Sequence, residues 1–287
     1  MIPLVSIIVP NFNHQIFLKE RLESIFNQTF QNFEVLLFDD ASTDQSLTVL
    51  NAYQSHPKVS HFSVNQKNSG SPFIQWKKGL ELAKGDFVWI AETDDFADQN
   101  FIETQLNTIQ NGVAVVAKTI TVDGIVVTNE EVIHPIFKDN KLFCTLSGNN
   151  FFTSPIKNVS CIVFKKPSQE ELRAMNFDSY AYMGDQIFYY EYFKNKTIRY
   201  NPNSKSYFRK NNSSVSNLNP KKGIHYFKKY FDEHVQFAKC IELEMGRDTY
   251  KKYLKKHYKK IKNRTTILQR MHLKYLSIII NYYLKTV

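Results

Sequence analysis

Phe87-Val88-Trp89-Ile90-Ala91-Glu92-Thr93-Asp94-Asp95 sets five apolar residues directly against three carboxylates. A short apolar run bounded upstream by Gly85 reads as a strand buried on both faces, the habit of parallel sheets. Upstream of it, Ser71-Pro72 opens a helix carrying Ile74, Leu80 and Leu82, with proline near its first position. Val59–Val64 is a further strand candidate, and Val35-Leu36-Leu37-Phe38 is another that stops at Asp39-Asp40. Between these two, Ser42 or Thr43 is expected to cap a helix through Leu47, Leu50 and Tyr53. Val5-Ser6-Ile7-Ile8-Val9 reads as the first strand, ended by Pro10, and Phe17, Leu18, Arg21, Leu22 and Ile25 keep a helical period after it. Strand and helix alternating at this spacing predict an α/β fold with a mostly parallel central sheet joined by right-handed crossovers.

Downstream, Phe101–Ile109 reads as a helix, and residues 113–133 as strands and turns punctuated by Gly112 and Asp123-Gly124. Residues 134–175 resist assignment except for Cys161-Ile162-Val163-Phe164, a buried strand. An aromatic-rich helix is expected over 182–193 and a short strand with turns over 198–208. An Asn/Ser-rich link at 211–219 follows, and Pro220 starts a helical tail. This predicts a catalytic-type domain over 1–215, in halves of 1–110 and 111–215, with a C-terminal helical extension over 220–287.

The chain has 287 residues, 43% of them apolar, enough for a substantial core without staples. No window reaches the ~18 apolar residues of a membrane span, and no signal peptide is expected from the first residues, which lack a basic segment. Three distant cysteines, Cys144, Cys161 and Cys240, disfavour a zinc site or a disulfide framework. The formal charge of +10 is uneven: residues 1–100 carry net −5, 101–220 net +3 and 221–287 net +12. The positive balance therefore sits in the tail, and nucleic-acid binding is not expected of the chain as a whole.

Ligand sites in such sheets lie at the C-terminal ends of strands. Those ends carry Pro10-Asn11-Phe12-Asn13, Asp39-Asp40-Ala41-Ser42-Thr43-Asp44 and Glu92-Thr93-Asp94-Asp95. Acids gathered on one sheet edge repel unless a proton or cation compensates them. Oxygen-only donors suit Mg²⁺ or Mn²⁺, completed by substrate phosphates. The other reading is a set of acids complementing the dipole of the helix at Phe101. No G-x-G-x-x-G, G-x-x-x-x-G-K-[ST] or G-x-S-x-G is present at the strand ends, so dinucleotide, P-loop and α/β-hydrolase readings lose support.

These segments, in this order, resemble the family 2 inverting glycosyltransferases of the A-type fold, which build bacterial polysaccharides of lipopolysaccharide and capsule type. The likeness runs through Val5 to Asn13, Phe38 to Asp44, Asn65-Gln66-Lys67-Asn68-Ser69-Gly70, Gly79 to Asp86 and Ile90 to Asp95, with good coverage over about residues 4–110. It implies a nucleotide-sugar donor, uridine-linked, and a glycan or lipid-linked glycan acceptor. By resemblance, Pro10 and Asn13 shape the first nucleotide loop, Asp39 accepts from the uracil or ribose, and Asp40 and Asp44 organise that loop. Asp94 coordinates the Mn²⁺ or Mg²⁺, with Asp95 in the same shell or holding the loop, and Glu92 and Thr93 beside the donor. The family's arginine before Gly79 is absent, so its role either passes to Lys77 or Lys78 or is not needed; Lys77 is the candidate to approach the donor phosphate, and a solvated helix lysine is the alternative.

Inverting transfer needs a carboxylate to take the acceptor's proton. Tyr182-Met183-Gly184-Asp185 matches the family's position for that base, and free N–H groups of the first helical turn are expected to favour an ionised Asp185. Asp178 is the nearest rival, and a helix cap is the alternative role. Arg209, in Tyr207-Phe208-Arg209-Lys210, is expected to flank the diphosphate or the acceptor. His14 is expected to cap or meet solvent rather than donor. In the tail, Tyr250, Leu254, Tyr258 and Ile261 oppose a lysine face, followed by Leu268, Met271, Tyr275, Ile279 and Tyr283. Such helices fit an anionic membrane surface, packing on the domain, self-association into a homo-oligomer, or a polyanion. The expected location is cytoplasmic, at the inner face of the cytoplasmic membrane. A catalytically silent sugar-nucleotide binder or scaffold, and a nucleotidyltransferase, are the competing functions.

Overall fold

A computed structural model describes residues 4–210 and 218–286. The first half alternates β1 (Val5–Asn11), α1 (Gln15–Phe26), β2 (Phe33–Asp39), α2 (Ser46–Tyr53), β3 (Val59–Val64), α3 (Pro72–Leu82) and β4 (Phe87–Ile90). Then come β5 (Phe96–Ala97), α4 (Phe101–Ile109), β6 (Ala114–Asp123), β7 (Val126–Glu131), β8 (Phe143–Thr145), β9 (Ile162–Lys165), α5 (Gln169–Ala174), α6 (Gly184–Phe193) and β10 (Thr197–Lys210). The tail holds α7 (Gly223–Met245), α8 (Arg247–Arg264), α9 (Ile267–Arg270) and α10 (Leu273–Thr286). One sheet runs β3-β2-β1-β4-β9-β6-β10-β5, with β7 on β6 and β8 on β10. Strands β1, β2, β3, β4, β6 and β10 share one direction; β9 lies antiparallel between β4 and β6.

Every residue of β1 and β2 is buried, which is why both appear as apolar runs. Gly85 lets β4 enter tightly: a Cβ there would lie 2.8 Å from the Ser6 amide nitrogen and 2.9 Å from the Leu4 carbonyl. Its own N–H donates to Ser6 Oγ at 2.8 Å, and that hydroxyl donates to Glu34 Oε1 at 2.6 Å.

Several local expectations need correction. β1 continues through Pro10 to Asn11. Pairing with β4 ends at Ile8 opposite Ile90, and Ala91 N–H donates to the Ile8 carbonyl while Asp40 N–H donates to that of Asn11. The alternation turns Pro10 towards the β4 side, beyond the last rung, where a missing N–H breaks no ladder bond. Helix α2 starts at Ser46, not after Ser42 or Thr43; Asp44 Oδ1 accepts from Ser46 N–H at 2.9 Å. The short strand expected over 198–208 is the 14-residue β10, with a register shift between Asn201 and Lys205. Residues 211–217 of the Asn/Ser-rich link lie outside the described residues.

The tail turns at Gly246 (φ +80°) and again at Thr265. Ile224, Phe227, Phe231, Phe237 and Ala238 of α7 belong to the same buried cluster as the sheet. Glu233, 5% exposed, accepts from the N–H groups of Ala181 and Tyr182 at 2.8 and 2.9 Å. The stripe Tyr250, Tyr253, Leu254 and Ile261 of α8 is buried rather than turned outward.

Candidate active site

The register of β1 and β2 brings Asn11 opposite Asp39, so the loops after both strands leave the sheet together. Asn11 Nδ2 donates to Asp39 Oδ2 at 2.8 Å, and Ser42 donates to the same carboxylate through its N–H and its hydroxyl at 2.8 and 2.7 Å. Asn13, at φ +56°, accepts from Thr43 N–H through Oδ1 at 2.7 Å and donates its own N–H to Ser42 Oγ at 3.0 Å. Asp44 accepts from Gln15 N–H at 3.0 Å. Asp40 accepts from Ser69 N–H and hydroxyl and from Asn65 Nδ2, the last at 2.6 Å. Asp39, 2% exposed, accepts these three hydrogen bonds and so ties the two loops together, while its expected contact with base or ribose would use the acceptor capacity that is left.

These loops wall a cavity of about 440 Å³, a normal size for a small-molecule site. Pro10 to His14 form one side, Asp40 and Glu92 the floor, and Asn68, Gly70 to Pro72 and Gln75 the other side. Asn11 Oδ1 and Gln75 Nε2, buried on residues 1% and 2% exposed, have no partner among the described residues. Orphaned polar atoms lining a cavity are suited to an incoming polar ligand.

The acidic loop rests on Arg21. Its guanidinium is fully buried 5.0 Å from the Trp89 ring centroid, and Nε donates to the Glu92 carbonyl at 2.8 Å. Burial pulls Arg21 down to about 10, opposed by the charges of Asp95, Asp94, Glu92 and Glu20. Glu92 accepts from Trp76 Nε1 at 2.8 Å, while its N–H donates to Ser160 Oγ at 3.1 Å. Burial first, then the Asp94 charge, pushes the Glu92 carboxyl up to about 8. Asp95 accepts from Asn158 Nδ2 at 2.9 Å and Arg209 N–H at 3.0 Å, and burial pushes it up to about 6. Asp94 is raised by burial and opposed by its own N–H and by Arg21 and Arg209. Among the described residues its carboxylate accepts from nothing beyond its own N–H.

This arrangement suits a divalent ion held by few protein ligands. No group of three acids, histidines or cysteines is gathered in metal-ligand geometry among the described residues. An ion here would depend on the uncommitted Asp94 carboxylate and on ligand phosphates, the usual habit of Mg²⁺ and Mn²⁺.

Gly184 brings α6 against α3. A Cβ on it would fall 2.2 Å from the Phe73 ring. Asp185 accepts from Gln186 N–H at 2.7 Å. The expectation that helix-end donors favour its ionised form is outweighed: burial pushes Asp185 up to about 6, against the Gln186 and Asp185 N–H groups and the Lys157 charge. Trp76 joins the two halves of the site, hydrogen-bonding Glu92 and lying 6.2 Å from the Phe188 ring. Tyr189, one turn along α6 from Asp185, is raised well above its ordinary value by burial and then by the charges of Asp185, Cys161 and Glu92.

Lys77 and Arg209 depart from expectation. Lys77 donates to the Met175 carbonyl at 2.7 Å, pairs with Asp178 at 3.4 Å and does not line the cavity. Arg209, 3% exposed, donates to the Asp94 carbonyl through Nε at 3.0 Å and pairs with Glu20 at 2.6 Å, so it braces the acidic loop from behind. Thr93 is buried against His14, with 2.7 Å between its hydroxyl and Nδ1, and His14 does line the cavity. Sequence reasoning missed Arg21, Trp76 and Gln75 as site residues. A charge at an apolar-stripe position of α1 was the available signal for Arg21.

A cavity of small-molecule size at parallel strand ends, bordered by an under-compensated acidic loop, defines the site of an α/β enzyme. Residues 6–173 match the family described as "Glycosyl transferase family 2", and the chain belongs to that family, as a glycosyltransferase with the A-type fold. It is 28% identical over 243 residues to an "Uncharacterized glycosyltransferase" of Haemophilus influenzae, covering 80% of this chain and 88% of that one. It is 26% identical over 261 residues to the "GalNAc(5)-diNAcBac-PP-undecaprenol beta-1,3-glucosyltransferase" of Campylobacter jejuni, covering 90% and 81%. The crystal structure of S. aureus TarS 1–349 in complex with UDP-GlcNAc has a similar fold, with a TM-score of 0.69 at 18% identity, over 99% of this chain and 81% of that one.

Replacing Arg21 by Met keeps its stem and removes the charge under the acidic loop. Urea unfolding at pH 7.5 is expected to show a loss of about 1.5–3 kcal/mol, as for a buried hydrogen bond made by a charged group. The loss should shrink at pH 5.5, where Asp95, raised to about 6 in the folded state, takes up a proton, whereas Glu92, raised to about 8, already holds its own at pH 7.5. An equal loss at both pH values would separate Arg21 from the acids.

Proposed function

We infer that this chain transfers a sugar from a uridine-linked nucleotide-sugar to a hydroxyl of a glycan or lipid-linked glycan, with inversion, in surface polysaccharide synthesis. The observation that carries the reading is the cavity at the strand ends with Glu92 in its lining, Glu92 being hydrogen-bonded to Trp76, which packs on α6, the helix whose first turn holds Asp185. Solved neighbours are complexes with UDP, UDP-GlcNAc, and GDP-Man with Mn²⁺, and one relative is named a poly(ribitol-phosphate) transferase. These names support the substrate class.

In this reading the nucleoside lies against Pro10 to Asn13 and Asp40, with Asn11 Oδ1 and Gln75 Nε2 as its polar contacts. Asp39 and Asp44 keep that wall in shape, and Trp76 orients Glu92 towards the donor. A Mn²⁺ or Mg²⁺ ion, when bound at Asp94, would neutralise charge on the diphosphate. Asp185 takes the proton from the acceptor hydroxyl as it attacks the anomeric carbon, and the bond to the diphosphate breaks on the opposite face. A carboxyl near 6 is ionised at neutral pH yet basic enough to accept that proton. Asp95 and Arg209 hold the loop.

The tail supports a membrane-surface role through the later of its two stripes, that of α9 and α10, because the Tyr250 stripe of α8 is buried. Among the described residues no helix is long and apolar enough to cross a membrane. Leu268, Met271, Leu273, Ile280 and Leu284 of α9, α10 and their junction are 49–80% exposed. With net charge +12 over residues 221–287, that face fits an anionic bilayer.

Asp185→Asn is expected to lose nearly all transfer while calorimetric UDP binding stays within about threefold. For the wild type, kcat/KM should fall as pH drops through about 6, because the raised carboxyl then holds its proton. Wild-type turnover by the variant would remove Asp185 as base, and donor hydrolysis absent from the wild type would favour a silent member. Exhaustive chelation should abolish transfer and added Mn²⁺ should restore it; full activity without divalent ions refutes the role of Asp94. Co-sedimentation with phosphatidylglycerol vesicles should occur at low salt and fall in Leu276→Asp/Ile280→Asp. No pelleting at any salt, or a dimer dissolved by the same variant, would overturn membrane contact.

A further inference from the structure

The turn that leads into α6 takes its hydrogen-bond acceptor from the tail. Ala181 and Met183 are buried, so the N–H groups of this turn need partners away from water. Met183, which precedes the helix, has no side chain that accepts from them. Glu233 of α7 does so instead. Its carboxylate, on a residue 5% exposed, accepts from Ala181 N–H through Oε1 at 2.8 Å and from Tyr182 N–H through Oε2 at 2.9 Å. Burial raises Glu233, opposed by the N–H groups of Ala181 and Tyr182, the Lys229 charge and the Met183 N–H. The same helix holds the Tyr182 side chain, whose ring centroid lies 4.7 Å from that of Tyr226 and 5.7 Å from Lys229 Nζ.

From the opposite side the turn is tied to the cavity. Ser71, in the cavity wall, donates through Oγ to the Tyr180 carbonyl at 2.9 Å. Two residues after Tyr182, Gly184 sits so close to α3 that a Cβ would fall 2.2 Å from the Phe73 ring and 2.8 Å from the Phe177 carbonyl. Asp185 follows within the first turn of α6 and accepts from Gln186 N–H at 2.7 Å. It is the carboxylate that would take over the turn's N–H groups if Glu233 were lost, since an acid in a first helical turn can reach back to the backbone before it. Asp178, on the other side of the turn, is occupied with Lys77 at 3.4 Å. A carboxylate drawn back in this way would not be free for a substrate.

We propose that Glu233 is a positioning residue for the transfer reaction: by accepting the N–H groups ahead of α6 it leaves the Asp185 carboxylate free for the acceptor's proton, and the tail is thereby part of the catalytic machinery. The inference rests on the reading of Asp185 as the base. Glu233 touches no reacting atom; it acts through the backbone that it holds. Its loss gives Asp185 extra donors, which stabilise the ionised form and lower its pKa, so the base becomes weaker as well as misdirected. The Lys157 charge on Asp185 and the Lys229 charge on Glu233 are left as they are by any change at position 233.

The test uses the full chain with Glu233→Gln, which keeps the volume and one acceptor oxygen, and Glu233→Asp, which keeps both oxygens on a shorter stem. The carboxyl carbon resonance of Asp185, assigned through Asp185→Asn, should titrate at about 6 in the wild type. In Glu233→Gln it should titrate about one pH unit lower, with Glu233→Asp in between. UDP release from UDP-glucose or UDP-N-acetylglucosamine, with water as acceptor, should fall about tenfold in kcat for Glu233→Gln, its acid limb moving down with the titration. UDP affinity should stay within about threefold, which controls for folding. An Asp185 titration unmoved in a variant that binds UDP would overturn the proposal and leave Glu233 a structural contact; so would an acid limb unmoved in both variants. Should Glu233→Gln fail to bind UDP, the same comparison is read from Glu233→Asp. Failure of the base reading looks different: Asp185→Asn would then release UDP at the wild-type rate, whatever the Glu233 variants do.

Discussion

A buried guanidinium under a turn of three acids is the interaction on which the catalytic half depends. Glu92, Asp94 and Asp95 leave the sheet within four residues, and each is pushed above the ordinary carboxylate range. Burial is the first cause for all three, with the neighbouring charges added for Glu92 and Asp95, and carboxylates so desolvated need cations behind the loop. Arg21 supplies one from α1 and Arg209 another from β10, both through bonds to loop carbonyls. Compensation stops short, since the acids stay raised with both arginines present. A loop held in place yet under-neutralised is primed for a further cation or proton, and perturbed carboxylates of this kind concentrate at functional sites.

Loop shape on the other side of the cavity comes from local hydrogen bonds rather than from charge. Asn13 and Ala41 occupy the left-handed region at φ +56° and +61°, one in each of the two loops zipped together by Ser42 and Thr43. Backbone strain of this sort persists only where surrounding contacts over-determine it. The Asp39 network does so from below, which explains why its carboxylate, so prominent in the sequence, is buried.

The α/β alternation was legible because strands buried on both faces leave unbroken apolar runs. Acid positions at the strand ends were legible for the same reason: each run stops where the sheet edge begins. Roles within the clusters were not, because they depend on which carboxylate finds protein donors. Asp39 finds three and Asp94 only its own N–H, although both sit in similar acidic strings. Lys77 and Arg209 were misplaced for a related reason, since a cation's partner is set by tertiary packing and leaves no mark on its neighbours in sequence. Arg21 was visible as a member of an apolar stripe, and its charge there was the unused clue. In the tail, two amphipathic stripes had equal weight in the sequence; α7 covers Tyr250, Leu254 and Ile261, and the open face falls to α9 and α10.

The placement of the tail changes how the basic charge is understood. Glu233 of α7 receives the N–H groups of Ala181 and Tyr182, a few residues before Asp185, and the Tyr182 ring packs 4.7 Å from Tyr226. Lys256 of α8 fixes the turn that also receives Gln186. The helical tail therefore borders the segment around Asp185 at two points, and residues 221–287 carry net +12 where residues 1–100 carry net −5. In the transfer proposed above, the acidic loop would receive a diphosphate together with its cation, and the basic tail would favour an acceptor, or a surface presenting it, of negative charge.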